Sequence, residues 1–201
     1  MPCLVTRNVR LIVGKTRSGK TTLGREFVNA LPRALILDNG FLEFNARHFL
    51  ELNDLHEYLD KRGGVGGNFR ASFSPRKSHY DQLFRWAIEL GAPEEITLVL
   101  EECDRFPTPD SQESFSDITE RGGHYGVHIL ALATHPSGCD IDIRRQATEI
   151  YSFRQHEPAD IKWLGAVMPA EAMEQIVKLD KYEYIKWDAQ TGEISKGKTR
   201  I

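Results

Sequence analysis

The chain of 201 residues is short of several things, and each shortage narrows what it can be. It carries three cysteines, Cys3, Cys103 and Cys139, odd in number and widely spaced. That excludes a disulfide scaffold, offers no metal-ligand spacing, and points to a reducing compartment. Long apolar runs are missing: Ile129-Leu130-Ala131-Leu132-Ala133 falls far below the ~20 residues needed to span a bilayer. The first residues do not show the basic-then-apolar order of a secretory leader, so none is expected. Charge of one sign is not in excess either: 26 Lys and Arg against 29 Asp and Glu leave a net charge of −3. No global positive field follows, so contact with a polyanion has to come from a local patch or an assembled ring. His124 and His128 lie four apart, but they straddle a strand start rather than one helix face, and read as structural. Repeats and long low-complexity tracts are absent.

What is present is an ordinary globular composition, 40% hydrophobic and 27% charged. The length fits one domain over 1–201, with a core over about 8–165 and a C-terminal helix and hairpin over 166–201. The most specific stretch is Gly14-Lys15-Thr16-Arg17-Ser18-Gly19-Lys20-Thr21, which satisfies G-x-x-x-x-G-K-[ST]. An apolar strand, Val9-Arg10-Leu11-Ile12-Val13, precedes it. A helix-compatible run starting at Thr22 follows it. Strand, glycine loop and helix are the context in which backbone N–H groups turn inward around phosphates. Lys20 is expected to reach the β and γ phosphates of ATP, and the Thr21 hydroxyl to ligate Mg²⁺. The nucleotide-binding residues are then Gly14, Lys15, Thr16, Arg17, Ser18, Gly19, Lys20, Thr21 and Thr22.

Along the chain, strands and helices alternate, which favours an α/β fold with a mainly parallel sheet covered by helices on both faces. Strands are expected at 34–37, 69–73, 96–100, 126–133, 149–153 and 182–187. Helices are expected at 48–61, 77–90, 110–121, 140–146, 158–167 and 169–178. Asp38-Asn39-Gly40 reads as a turn. Gln190-Thr191-Gly192 reads as the turn of a short C-terminal strand pair that runs into a charged tail.

Hydrolysis requires a carboxylate to organise the metal and a group to orient water. Leu98-Val99-Leu100-Glu101-Glu102 supplies both at the end of a buried strand and resembles a Walker B motif. Glu101 is expected in the Mg²⁺ shell and Glu102 as the base that polarises water. Successive strand residues face opposite ways, so the backbone has to re-aim one of the pair at the strand end. Thr134-His135-Pro136 ends the next apolar strand, where ligands of open α/β sheets bind, and His135 is placed there as a γ-phosphate sensor. The glycine-rich 62–67 segment, with Arg62, Arg70, Arg76 and Lys77 nearby, reads as a flexible loop able to track a phosphate backbone without reading bases. The end Lys196-Gly197-Lys198-Thr199-Arg200 reads equally as a disordered basic segment.

Taken together these stretches resemble the HerA/FtsK superfamily of DNA-pumping ATPases, and within it the small genome-packaging ATPases of membrane-containing viruses. The resemblance rests on residues 14–21, on 97–106 around Glu101 and Glu102, on Arg121-Gly122-Gly123-His124-Tyr125-Gly126-Val127-His128-Ile129, on Ala133-Thr134-His135-Pro136, and on 142–147 and 153–160. It implies a RecA-like, ASCE-type P-loop NTPase core and ATP-driven movement of double-stranded DNA without sequence specificity. It also implies a homo-oligomeric ring, pentamer or hexamer, working with capsid or membrane-vertex proteins in the infected cell and at the packaging vertex of the virion. An arginine supplied in trans follows from the same resemblance, with Arg121 the best candidate by position and Arg105 and Arg144 in reserve. Three positions depart from the family pattern: Gly123 where relatives place Arg, His135 in place of Gln, and Glu101 in place of Asp. Two other readings compete: a small P-loop kinase, and an assembly or morphogenesis ATPase that does not translocate DNA.

Overall fold

A computed structural model describes residues 8–39, 43–105 and 111–200. Cys3, Gly40, Phe106 and residue 110, which entered the sequence reading, lie outside the described residues. The chain runs β1 (Val9–Val13), α1 (Lys20–Ala30), β2 (Arg33–Leu37), β3 (Arg47–Phe49), α2 (Leu52–Arg62), β4 (Phe69–Phe73), α3 (Tyr80–Gly91), β5 (Ile96–Leu100), α4 (Gln112–Arg121) and β6 (Val127–Ala133). It continues through α5 (Ile141–Gln146), β7 (Glu149–Phe153), α6 (Pro158–Gly165), α7 (Ala170–Ile176), β8 (Glu183–Asp188) and β9 (Ile194–Lys198). The nine described strands form a sheet in the order β3-β4-β2-β5-β6-β1-β7-β8-β9. β2 runs parallel to β4 and β5, β3 parallel to β4, and β1 parallel to β7, whereas β8 and β9 are antiparallel additions. The expected mainly parallel α/β sheet with a C-terminal strand pair is therefore present.

Contacts divide the chain into two compact units. The first holds 27–101 and 107–129 and carries β2 to β5 with α2, α3 and α4. Every residue of β2 and of β5 is buried, which is why 34–37 and 98–100 read as apolar runs instead of alternating ones. The face of α3 expected from its spacing, Tyr80, Leu83, Phe84 and Ala87, is buried, and Trp86 joins it by stacking on His56. Phe84 meets Phe115 of α4 at 5.3 Å between ring centroids. Each such fully buried apolar side chain contributes ~1.5–3 kcal/mol.

Two expectations in this unit need correction. The helix expected from 48 starts at Leu52, because Arg47–Phe49 pairs with β4 as an edge strand. Phe49 mimicked the helical spacing of Leu52, Leu55 and Leu59, but its ring packs on Tyr58 from a strand. The glycine segment at 62–67 is not a free loop. The buried Arg33 guanidinium donates to the carbonyl oxygens of Gly63, Gly64, Gly67 and Leu90 and pairs with Glu94. Glu94 in turn accepts from the Gly66 N–H. A charge buried this deeply persists only when paired and hydrogen-bonded, and here its partners are the loop itself.

The second unit holds 9–26, 102–106 and 130–201 and carries β1, most of β6, β7 to β9 and α5 to α7. Glu149 of β7 sits between Arg10 and Lys186. Burial pushes its carboxyl up, but the two cations outweigh that and hold it below the usual range. The basic end of the chain is an ordered strand: β9 pairs with β8 from Glu183↔Lys198 to Trp187↔Ile194, and Thr199 is buried. The Cys103 and Cys139 sulfurs, distant in sequence, lie 3.2 Å apart as buried free thiols, and burial pushes the Cys103 thiol up.

Candidate functional site: a phosphate loop and two strand-end glutamates

The loop at 14–21 leaves β1 and enters α1 at Lys20, which puts Thr21 and Thr22 in the first helical turn. Its shape depends on two glycines. A Cβ on Gly14 would lie 2.7 Å from the Phe153 Cβ and 2.7 Å from the Ser18 Oγ. Gly19 has φ +113°, and a Cβ there would lie 2.6 Å from the Thr199 Oγ1 and 3.1 Å from the Phe153 ring. Phe153, at the end of β7, is thus packed against both glycines of the loop. Thr199, one residue beyond β9, covers the second. Arg17 adopts φ 63°, a left-handed conformation that lets successive N–H groups converge. The Lys20 ammonium donates to the Lys15 carbonyl oxygen at 3.1 Å, and Lys15 pairs with Glu157 at 3.4 Å. The Ser18 hydroxyl and the Gln155 amide in this unit are buried without hydrogen-bond partners. A loop closed to Cβ atoms at both glycines, with the Ser18 hydroxyl buried and unpartnered, fits a polyphosphate.

Glu101 and Glu102 follow β5, and the structure treats them differently. Glu102 has φ 55°, one of three described non-glycine residues with positive φ. This is the re-aiming that the strand alternation demanded, and strain of ~1–3 kcal/mol stored in this way is concentrated at functional positions. Its carboxylate pairs with Arg105 at 3.0 Å, so one reserve arginine is engaged within the same chain. Glu101 is 7% exposed, and its carboxyl is bonded to that of Asp38, which is wholly buried beyond β2. Burial first, and Asp38 second, push the Glu101 carboxyl up to about 8. Its Oε2 is buried with no partner. A buried carboxylate oxygen without a donor is what a hard divalent cation would satisfy, so Glu101 fits the Mg²⁺ role.

His135 follows β6 and is 58% exposed, with its Nδ1 on the Asp160 Oδ2 at 3.3 Å. Asp160 is buried, and its other oxygen accepts from the Ser137 N–H and hydroxyl. The carboxylate thereby holds the ring through Nδ1. Arg121 ends α4 with its side chain 63% exposed and a 3.5 Å pair to Asp117 on the same helix. Arg144 lies over the Trp163 ring, 5.1 Å from its centroid. The loop, Glu102 and His135 belong to the second unit, and Glu101 and Arg121 to the first.

Four contributors escaped the sequence reading: Asp38, Phe153, Thr199 and Asp160. Asp38 carried the signal that marked Glu101, a carboxylate just past a buried apolar strand. The other three had no local signal, since their roles arise from contacts across long stretches of chain.

No family model matches the chain, and no curated protein matches it by sequence. Solved structures do. The genome packaging NTPase B204 from Sulfolobus turreted icosahedral virus 2, in complex with ATP-gammaS, superposes with a TM-score of 0.78 at 18% identity, covering 96% of this chain and 98% of that one. This is a P-loop NTPase fold. VirB4 of Thermoanaerobacter pseudethanolicus shares it with a TM-score of 0.64 at 11% identity, over 98% of this chain and 90% of that one. The cytoplasmic domain of the Thermomonospora curvata type VII secretion ATPase EccC shares it at TM-score 0.64 and 14% identity, over 98% of this chain and 24% of that one. At such identities the likeness is one of fold.

Proposed function

We propose that this chain is an ATPase that moves double-stranded DNA into a viral capsid. The observation that carries the reading is the end-to-end fold match to a genome packaging NTPase, in a chain whose phosphate loop is built to close around a polyphosphate. Lys20 gives up the Lys15 carbonyl and takes the β and γ phosphates. The loop N–H groups hold the same oxygens; the Thr21 hydroxyl is one residue that would hold Mg²⁺, and Glu101 is the carboxylate offered for it. Mg²⁺, where bound, would supply positive charge that offsets the charge developing on the phosphates during transfer. Glu102, already turned out of the strand by its backbone, orients and deprotonates the attacking water. His135 reads the γ-phosphate through Nε2, with Asp160 fixing the ring. Arg121 is the arginine supplied to a neighbouring subunit of a homo-oligomeric ring, a contribution of ~10³–10⁵ in rate. The ring acts in the infected cell at the packaging vertex, on duplex DNA without base readout.

The test is steady-state ATP turnover measured against protein concentration, with and without duplex DNA. A rate per subunit that rises with concentration and with DNA supports the motor. A rate indifferent to both, or one stimulated by a small phosphate acceptor, removes it.

A further inference from the structure

Four polar side chains form a hydrogen-bonded row across four neighbouring strands. The His48 Nδ1 lies 3.2 Å from the Ser72 Oγ, and Ser72 and His48 are register partners on β4 and β3. The Ser72 hydroxyl donates to the Asp38 Oδ2 at 3.4 Å. Asp38 is bonded to Glu101. The row His48, Ser72, Asp38, Glu101 follows the strand order β3, β4, β2, β5. Burial deepens from half-buried His48 to Ser72 at 2% and Asp38 at 0% exposed, and Glu101 at the other end is 7% exposed.

Backbone and Asn39 side-chain bonds hold the main chain at Asp38 and Glu101. The Asp38 N–H donates to the Phe73 carbonyl at 2.9 Å, and the Glu101 N–H to the Leu37 carbonyl at 3.1 Å. The Asn39 amide donates to the Glu101 carbonyl oxygen at 3.3 Å. Both carboxyl groups therefore start one residue beyond β2 and β5, from backbone positions that these bonds tie to the neighbouring strands. Asp38 accepts from Ser72 on one side and is bonded to Glu101 on the other. One Glu101 oxygen is engaged in that bond, while Oε2 stays buried and unpartnered.

We propose that Asp38 is a positioning residue: through its bond to Glu101, itself braced by Ser72 and His48, it presents the Glu101 Oε2 to a divalent cation. The inference rests on the reading of Glu101 as the metal-side acid given above. Hydrogen-bonded partners of metal-ligating carboxylates change metal affinity by ~10–100-fold when removed. Asn at position 38 would still accept from Ser72 and donate to Glu101, whereas Ala does neither. The geometry therefore predicts rescue by the amide, which a role through charge or direct ligation would not show.

The experiment is a Mn²⁺ titration followed by electron paramagnetic resonance, on the full chain with a non-hydrolysable ATP analogue, for wild type, D38A, D38N, S72A and E101A. Thermal unfolding of each variant confirms that it is folded. Expected are a ~10–100-fold weaker Mn²⁺ affinity for D38A, D38N within ~3-fold of wild type, and S72A in between. D38A equal to wild type, or D38N as weak as D38A, overturns the positioning role while E101A still weakens binding. E101A equal to wild type instead removes Glu101 from the metal site and the inference with it. Should D38A not fold, the comparison of D38N with S72A and E101A decides: D38N as weak as E101A overturns it.

Discussion

Glu101→Gln should make the protein more stable, and more so as pH rises. In the fold the Glu101 carboxyl is buried beside Asp38 and titrates near 8, against an ordinary value of 4.5. The folded state therefore keeps a proton that the unfolded chain releases. Between those two values the folded form binds more protons, so stability falls as pH rises through the window and the loss is complete above about 8. The interval corresponds to a ceiling of ~5 kcal/mol. Solvent screening and local relaxation reduce that to ~2 kcal/mol. For a chain of this length ~2 kcal/mol moves the melting temperature by ~4–8 °C. The assay is thermal unfolding of wild type and Glu101→Gln in chelator, from pH 5 to 9. The quantity to follow is the difference between the two proteins, because every other titrating group cancels in it. At pH 5 the two should melt together, and by pH 8.5 the variant should melt ~4–8 °C higher. Added Mg²⁺ should raise wild type at pH 8.5 and leave the variant unmoved. A difference that stays constant across the range would refute the reasoning, because no proton would then be held by the buried pair.

Three further outcomes follow from the geometry. Glu102→Gln should bind an ATP analogue within ~3-fold of wild type while turnover falls by ~10²–10⁴, as expected for loss of a general base, measured by fluorescence binding and phosphate release. Gly19→Ala places a Cβ 2.6 Å from the Thr199 Oγ1 at a φ of +113°. It should cost on the order of 1–3 kcal/mol in urea unfolding and weaken nucleotide binding, and Thr199→Gly in the same chain should return only the steric share. Arg33→Met strands the carbonyls of Gly63, Gly64, Gly67 and Leu90 together with Glu94, so unfolding should lose ~3–5 kcal/mol and limited proteolysis should begin cutting at 62–67.

The strand, loop and helix around residues 14–21 were legible because their pattern is local. Glycines at two positions, a lysine and a threonine within eight residues are all that the backbone cradle requires, and the flanking apolar runs announce the strand and helix that hold it. The strand-end glutamates were legible for a related reason: β5 is buried on both faces, so its sequence is an apolar run that stops at the first charge. The alternation of strands and helices then sufficed for a parallel α/β sheet. What the local pattern did not contain was anything assembled from distant segments. Arg33 has no special neighbours in sequence, yet it shapes a loop thirty residues later because a buried guanidinium takes its partners wherever carbonyls converge. Phe49 had helical spacing and became a strand because β4 offered it a ladder. The basic C-terminal end looked like a disordered tail, and became β9 with Thr199 against Gly19, because β8 left an edge to pair. By itself, then, the sequence nominated residues for phosphate, metal and water, since such nominations rest on side-chain type and short spacing. Tertiary structure alone decided which of the two glutamates is buried with Asp38 and which is turned outward at φ 55°. Burial and backbone dihedral are set by what packs around a residue, not by the residue itself.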